Sequence, residues 1–145
     1  MPTYTCWSQA GVISTEERAK IATALTEIHH EVAAAPRYLV QVLFVDVGAG
    51  SQFLAGQPAT DGYVWIRADI RAGRAEEVKR RLLLRMVGEV SEILGLAPEQ
   101  VRIYICEIPG PNIAEYGQVM PPPGQEEAWF AQLPAEVRER LAKLA

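Results

Sequence analysis

The chain has 145 residues, of which 49% are hydrophobic, and its formal net charge at pH 7 is −4. This length indicates one domain over residues 1–145, and the negative charge argues against nucleic acid or an anionic membrane as a partner. No run reaches the roughly 18 apolar residues of a membrane span, and no secretory signal pattern is found, so we expect a cytoplasmic protein. The two cysteines, Cys6 and Cys106, lack CxxC spacing and form no recognisable ligand set with His29 and His30. Reduced, buried thiols and no metal site are therefore expected.

The first half of the chain has the pattern of a strand, a helix and a second strand. Residues 2–8 are rich in β-branched and aromatic types, which predicts a strand. A capping-box pattern at residues 14–17 precedes apolar residues that recur every three or four positions, which predicts a helix over residues 15–34. Pro36 ends this helix, and the apolar run that follows predicts a strand over residues 39–47.

The same pattern repeats after a glycine-rich stretch over residues 48–62. Alternating residues predict a strand over 63–70, apolar residues at steps of four predict a helix over 74–94, and residues 101–108 predict a last strand. Two β-α-β units follow, and the crossover rules favour a right-handed connection and a parallel strand pair in each. The expected fold is therefore α/β (α+β), with a four-stranded sheet and both helices on one face.

The composition of the chain changes beyond the second β-α-β unit. The two halves cover about residues 2–47 and 63–108, which leaves an arm rich in proline and glycine over residues 109–145. Two short helical pieces are predicted in this arm, over residues 126–133 and 134–144. An arm of this kind on a small open sheet is typical of a segment that wraps a neighbouring subunit, so it indicates an oligomer.

Pro2 opens the first predicted strand. Removal of Met1, which is common before a small residue, would leave Pro2 as a secondary amine at the start of this strand. An α-amino group titrates near about 7.7–8.0, so a modest shift of its pKa makes it an acid or a base at neutral pH. Position alone favours a simpler interpretation, because many proteins begin with this pair of residues without a role for the proline.

Other residues are weaker candidates when each is taken singly. Arg71 and Arg74 flank a predicted strand–helix turn, where a helix N-terminus and two guanidinium groups favour a small carboxylate, but solvated arginines are the commoner explanation. His29 lies near the end of the first helix, where a cation is favoured without any ligand. Tyr104 alternates with two isoleucines and fits a half-buried core tyrosine. Glu115 lies in the arm, where a glutamate is usually solvated.

Eight short segments, spread over nearly the whole chain, follow one another in a recognisable order. They are Pro2–Tyr4, Thr26–His29, Leu39–Val42, Ile70–Arg74, Val101–Tyr104, Glu107–Gly110, Ala114–Gly117 and Pro123–Phe130. In this order they resemble the tautomerase superfamily and, within it, the cis-3-chloroacrylic acid dehalogenase family. The resemblance covers nearly the whole chain, and several motifs in the right order are far more specific than any one of them.

The resemblance implies the tandem β-α-β tautomerase fold, assembled as a homotrimer without a cofactor. It implies a catalytic set of six residues: Pro2, His29, Arg71, Arg74, Tyr104 and Glu115. In this set the two arginines and His29 bind the carboxylate of the substrate. Glu115, helped by Tyr104, activates a water that attacks the β-carbon, and Pro2 as a charged amine delivers a proton to the α-carbon. The resemblance leaves open which subunit supplies Tyr104 and whether Pro2 is charged.

One stretch departs from the dehalogenase pattern. The dehalogenase proper carries threonines where this chain has Ala33–Ala35, and each lost hydrogen bond costs about 1 kcal/mol. Over residues 34–42 the chain is instead similar to a homologue that dehalogenates poorly and hydrates acetylenecarboxylate. We therefore expect a hydratase of three-carbon unsaturated carboxylates that gives malonate semialdehyde, with weak cis-3-chloroacrylate dehalogenation. Whether decarboxylation to acetaldehyde follows stays open.

Alternative functions also stay open at this point. A keto–enol tautomerase would use a neutral Pro2 as its general base and would not need Glu115. An efficient cis-3-chloroacrylic acid dehalogenase would use the full catalytic set despite the alanines. A non-enzymatic interaction protein is the third alternative, because a fold does not fix a function.

Overall fold

A computed structural model describes residues 2–59 and 62–144, and its elements follow the predicted β-α-β order twice. In chain order they are β1 (Thr3–Gln9), α1 (Thr15–Ala33), β2 (Gln41–Val47), β3 (Phe53–Leu54), β4 (Gln57–Pro58), β5 (Val64–Arg71), α2 (Glu76–Leu94), β6 (Val101–Ile108), β7 (Ala114–Glu115), β8 (Gln118–Val119), α3 (Glu126–Ala131) and α4 (Ala135–Ala142). Within the glycine-rich stretch, β3 and β4 pair as a short hairpin. Met1, whose removal the Pro2 hypothesis requires, lies outside the described residues.

Among the described residues, four strands form the central sheet in the order β2-β1-β5-β6. The pairs β1–β2 and β5–β6 are parallel, as predicted, and β1 runs antiparallel to β5. Thr3 is paired with Asp69, and Arg71 is paired with Ile108. The beginning of β1 therefore lies beside the ends of β5 and β6.

Both long helices cover one face of the sheet, which confirms the predicted fold class. The backbone N–H of Glu17 donates to the Ser14 hydroxyl at 3.2 Å, and the Ser14 N–H donates to the Glu17 carboxylate at 2.8 Å, so the predicted capping box starts α1.

Each fully buried aliphatic side chain in the core contributes about 1.5–3 kcal/mol. The predicted helix faces are confirmed by the buried helical residues, which are Ile21, Leu25, Ile28, Val32, Leu82, Met86 and Val90.

The opposite face of the sheet carries large side chains that the described part of the chain leaves uncovered. Side chains alternate along β6, so that Ile103 and Ile105 pack against the core whereas Tyr104 is 55% exposed. The half-buried position expected for Tyr104 is therefore wrong. Trp7 and Trp65 stack on the same open face, with ring centroids 4.6 Å apart.

The arm folds back onto its own chain. The indole N–H of Trp129 donates to the carbonyl of Val119 at 3.0 Å, and α3 and α4 lie within the two predicted helical pieces. The buried apolar side chains of the arm thus pack on their own subunit, and contact with a neighbouring subunit stays a prediction. The buried residues of this second cluster are Leu39, Met120, Trp129, Leu133 and Leu141.

The strand predicted over residues 39–47 begins only at Gln41. After Pro36, whose carbonyl accepts a hydrogen bond from Leu39 N at 3.1 Å, the backbone makes a 3₁₀ turn over Arg37–Leu39. This turn directs Leu39 into the arm cluster. A contact with a distant segment therefore overrides the local strand pattern.

The two cysteines differ in burial. Cys6 is buried, and burial raises the pKa of its thiol to about 12. Cys106 is only half-buried, because it alternates with the core-facing Ile105 and lies on the open face of the sheet. The expectation of buried thiols is confirmed for Cys6 and wrong for Cys106, and both thiols are free. Within the described residues, no helix is long and apolar enough to cross a membrane.

Candidate active site

The turn between β5 and α2 carries both arginines. Arg71 is the last residue of β5, and Arg74 follows it within the turn. Gly73 has a φ of 109°, which residues with a side chain rarely adopt, and a Cβ at this position would lie 3.0 Å from Pro123 Cγ. The helix therefore begins at Glu76 and not at residue 74 as predicted, so Arg74 stays free of the helix and close to the end of the sheet.

Arg74 extends from this turn to the imidazole of His29 on α1. Its Nη2 lies 3.4 Å from His29 Nε2, and its Nη1 donates to the carbonyl of Arg71 at 2.8 Å. On the other side of the ring, His29 Nδ1 lies 2.6 Å from the hydroxyl of Tyr4 on β1. His29 and Tyr4 are fully buried. A chain of polar contacts therefore connects β1, α1 and the arginine turn.

The bond to Tyr4 assigns the tautomer of His29. A separation of 2.6 Å is typical of an O–H donor, so we assign the Tyr4 hydroxyl as the donor and His29 Nδ1 as the acceptor. Burial, together with the positive charge of Arg74, lowers the pKa of His29 to about 3, so its ring is neutral at pH 7. Its Nε2 then carries the hydrogen and faces the Arg74 guanidinium. Two donors whose nitrogen atoms lie 3.4 Å apart can then share one carboxylate oxygen.

Arg71 is held by the arm. This side chain is 4% exposed, its Nη1 donates to the carbonyl of Pro121 at 2.8 Å, and its Nη2 forms a short ion pair with the Glu126 carboxylate. Burial raises the pKa of Glu126, but hydrogen bonds from backbone N–H groups and from Arg71 outweigh burial and leave that pKa lowered. Glu126 is therefore ionised at neutral pH and supplies Arg71 with a counter-charge from the same chain.

Glu115 lies half-buried on β7 in the arm. Burial raises the pKa of its carboxyl group, and the positive charge of Arg71 opposes this rise. The arm thus carries Glu115 into the electrostatic reach of the arginine, whereas a glutamate in a loop is usually solvated. A carboxylate whose pKa is raised is a stronger general base than a solvated one.

Pro2 is buried at the start of β1, where its carbonyl accepts a hydrogen bond from Gln41 N at 3.0 Å. Pro2 and Tyr4 are two residues apart on an extended chain, so they lie on the same face as His29. Because β1 begins where β5 ends, Pro2 also lies at the same end of the sheet as Arg71.

Tyr104 lies away from the other predicted residues within a single chain. It is paired with Arg67 on β5, four residues before Arg71, which is about 13 Å along the strand. Its ring packs edge-on against Trp65, with centroids 5.6 Å apart. The predicted residues that do gather at one end of the sheet are Pro2, His29, Arg71, Arg74 and Glu115.

Sequence reasoning missed the residues that hold the arginines and the histidine in place. Tyr4 had a usable signal, because a tyrosine on the buried face of a strand needs a hydrogen-bond partner. The carbonyl of Pro121 and the carboxylate of Glu126 had none, because they lie 50 and 55 residues from Arg71 along the chain. Among the described residues, no group of three or more His, Cys, Asp or Glu side chains is placed to hold a metal ion.

A cavity of about 490 Å³ is lined by Glu126, but none of the residues gathered at the end of the sheet is among its lining residues. Its wall includes Ala34, which belongs to the stretch where the sequence departs from the dehalogenase pattern. This part of the wall therefore offers no hydroxyl group to a ligand. The remaining wall is largely apolar and includes Pro36, Tyr38 and Phe130.

Comparisons with known proteins agree with this fold and show the family of the chain. Residues 1–132 match the tautomerase family described as "Putative oxalocrotonate tautomerase enzyme". The chain is 50% identical to N1, described as a member of the cis-3-chloroacrylic acid dehalogenase (cis-CaaD) family, with a TM-score of 0.95 over 97% of this chain and 99% of that chain. No curated protein matches the chain significantly.

Two further solved structures share the fold. Native Ps01740 is 31% identical, with a TM-score of 0.74 over 78% of this chain and 99% of that chain. A structure described as a fused 4-OT wild type asymmetric trimer is 23% identical, with a TM-score of 0.75 over 81% of this chain and 94% of that chain, and it supports the fold alone. The chain therefore belongs to the tautomerase superfamily and, within it, to the cis-3-chloroacrylic acid dehalogenase family.

Proposed function

We propose that the protein is a cofactor-independent hydratase of three-carbon unsaturated carboxylates such as acetylenecarboxylate. The observation that carries this proposal is the contact of the Arg74 guanidinium with the imidazole of His29 beside the buried Arg71. The half-buried carboxyl group of Glu115 lies within reach of the same positive charge. This arrangement supports the binding of a small carboxylate next to a general base, and membership of the cis-3-chloroacrylic acid dehalogenase family points to the same substrate class.

In the proposed reaction, the two arginines and His29 bind the carboxylate and stabilise the negative charge that develops there as water adds. Glu115 takes a proton from the attacking water, whose oxygen bonds to the β-carbon. Pro2 delivers a proton to the α-carbon. One water is added in total and nothing is oxidised or reduced, so acetylenecarboxylate gives the enol of malonate semialdehyde. The enol ketonises to malonate semialdehyde, and loss of carbon dioxide from the aldehyde, with uptake of one proton at the α-carbon, would give acetaldehyde.

Pro2 acts in this proposal as the general acid, which requires a free and charged amine. The negative charge of Glu115 favours the charged amine, whereas the arginines oppose it. Mass spectrometry of the purified protein reports directly whether Met1 is removed. Full activity of a protein that retains Met1 would exclude this role for Pro2, because the proline nitrogen would then be an amide.

We also propose that the protein is a homotrimer in which Tyr104 of one subunit completes the site of the next. In the register of the sheet, Leu43, Thr5, Arg67 and Tyr104 form one row across the open face. Leu43 and Tyr104 are 44% and 55% exposed, so this face offers apolar surface for another subunit. The fused 4-OT structure that shares this fold is itself a trimer.

A keto–enol tautomerase is the second candidate, because the matching family is described as an oxalocrotonate tautomerase. In that reaction a neutral Pro2 moves a proton between carbon and oxygen, and Glu115 is not required. Efficient dehalogenation of cis-3-chloroacrylate is a third candidate, favoured by the N1 relative and disfavoured by Ala33–Ala35, where the dehalogenase proper carries threonines.

Proton NMR with acetylenecarboxylate tests the proposal directly. We expect malonate semialdehyde to form, and the substitution Glu115→Gln to lower its rate by about 100-fold or more while an enol acid is still ketonised. Glu99→Gln is the matched control, because Glu99 is exposed and lies before the start of β6, whose other end is beside Arg71. It should change neither reaction. Turnover of the enol acid without hydration of acetylenecarboxylate would favour the tautomerase. Faster release of chloride from cis-3-chloroacrylate than hydration would favour the dehalogenase.

A further inference from the structure

We propose that Glu126 is a positioning residue that fixes the guanidinium group of Arg71. Its negative charge also weakens the attraction of Arg71 for the substrate carboxylate. Through Glu126, the arm is part of the active site. This inference rests on the proposed function in one respect, namely that Arg71 belongs to the carboxylate-binding site. It assigns unequal roles to the two arginines, whose positions in the turn look equivalent in the sequence.

The first observation is that the arm supplies the hydrogen-bond acceptors of Arg71. One N–H of Nη1 is taken by the carbonyl of Pro121, and one N–H of Nη2 is taken by Glu126. The Nε atom is buried and has no hydrogen-bond partner among the described residues. The orientation of the guanidinium is therefore set by two groups of the arm, and the edge that includes Nε is the one left for a bound ligand.

The second observation concerns charge. The positive charge of Arg71 is matched by the Glu126 carboxylate, whose side chain is itself only 22% exposed. Arg74 instead contacts the Arg71 carbonyl and the neutral ring of His29, and the described residues show no ion pair between Arg74 and a carboxylate. Glu126 and Glu107 act on Arg74 only through longer-range attraction. A substrate carboxylate thus meets at Arg74 a guanidinium group that has no ion-pair partner among the described residues. At Arg71 it meets a site that already holds one negative charge.

The third observation is how Glu126 is kept in place. Glu126 begins α3, and three residues later Trp129 is buried in the arm cluster, with its indole N–H on the carbonyl of Val119. The packing of the arm therefore fixes the carboxylate, and the carboxylate fixes Arg71. Glu127, the neighbouring residue, is exposed and forms no ion pair among those the described residues show. It provides a matched control on the same short helix.

Binding of propionate, a saturated three-carbon carboxylate, tests the inference by calorimetry without any turnover. The substitution Glu126→Gln keeps a hydrogen-bond acceptor for Arg71 and removes the negative charge. We expect propionate to bind about five- to tenfold more tightly to this variant, because its carboxylate no longer meets a like charge. KM for acetylenecarboxylate should fall by a similar factor. Glu127→Gln should bind propionate as the unsubstituted protein does.

The substitution Glu126→Ala removes both the charge and the acceptor. We expect it to lower kcat by about tenfold, because the Arg71 guanidinium loses its orientation, whereas Glu126→Gln should largely retain kcat. This split between kcat and binding distinguishes a positioning role from a purely structural one. If the alanine variant fails to fold, the comparison of Glu126→Gln with Glu127→Gln decides alone.

Equal propionate affinity in Glu126→Gln and Glu127→Gln would overturn the inference, and so would the absence of propionate binding to the unsubstituted protein. Tighter binding in Glu126→Gln without any hydration of acetylenecarboxylate would support this inference and reject the proposed reaction. Hydration of acetylenecarboxylate together with an unchanged propionate affinity in Glu126→Gln would support the proposed reaction and reject this inference.

Discussion

The burial of His29 makes the stability of this protein sensitive to mild acid. His29 is fully buried, and burial, with the positive charge of Arg74, lowers its pKa to about 3 in the folded chain. In an unfolded chain a histidine titrates near about 6.5. Between these two values the unfolded chain binds a proton that the folded chain does not. The free energy of unfolding therefore decreases as the pH falls from about 6.5 toward 3.

The size of this effect follows from the two pKa values. Each pH unit inside the window removes up to about 1.4 kcal/mol from the free energy of unfolding. Lowering the pH from about 7.5 to about 5.0 crosses roughly 1.5 units of the window, so His29 should account for a loss of about 2 kcal/mol. Above about pH 6.5 the histidine is neutral in both states, and its contribution no longer changes.

Urea denaturation at these two pH values measures the effect. His29→Gln removes the titrating group and leaves an amide oxygen that can accept the Tyr4 hydroxyl, so this variant should lose about 2 kcal/mol less than the unsubstituted protein on acidification. His30→Gln is the matched control, because His30 is only partly buried, with its Nδ1 2.8 Å from the carbonyl of Ala35. Protein concentration is held constant, since assembly couples stability to concentration. An equal loss in His29→Gln and the unsubstituted protein would refute the reasoning.

Four further substitutions, one of them a control, test the site, the turn and the open face. Tyr4→Phe removes the hydroxyl that donates to His29 Nδ1, so ¹⁵N NMR should show a mixture of tautomers in place of the Nε2–H form; an unchanged spectrum contradicts our assignment. Gly73→Ala should lower stability by about 1–3 kcal/mol because of its φ of 109°, whereas Gly88→Ala, with open space on α2, should raise it by about 0.5–1 kcal/mol. Similar melting temperatures for these two variants would disprove the strain argument. Leu43→Asp should dissociate the proposed trimer in light scattering, and an intact trimer would count against the open face as the interface.

The amino-acid sequence by itself determined the four strands of the central sheet, the two long helices and the candidate residues, but not the short strands β3, β4, β7 and β8. The capping box, the spacing of apolar residues on both helices and the alternation along β6 are local patterns, and each depends on residues within a few positions of one another. Such patterns are visible without a structure. The strand–helix turn of Arg71 and Arg74 was predictable for the same reason, because a glycine lies between the two arginines.

Only the tertiary structure decided how those residues are held. The contact of Tyr4 with His29 spans 25 residues and the ion pair of Arg71 with Glu126 spans 55, and no periodicity joins positions so far apart. Burial is likewise a property of the packed chain, so the lowered pKa of His29 could not be foreseen from its position on a helix. The late start of β2 at Gln41 has the same origin, because packing of Leu39 against the arm outweighs a local preference for extended backbone.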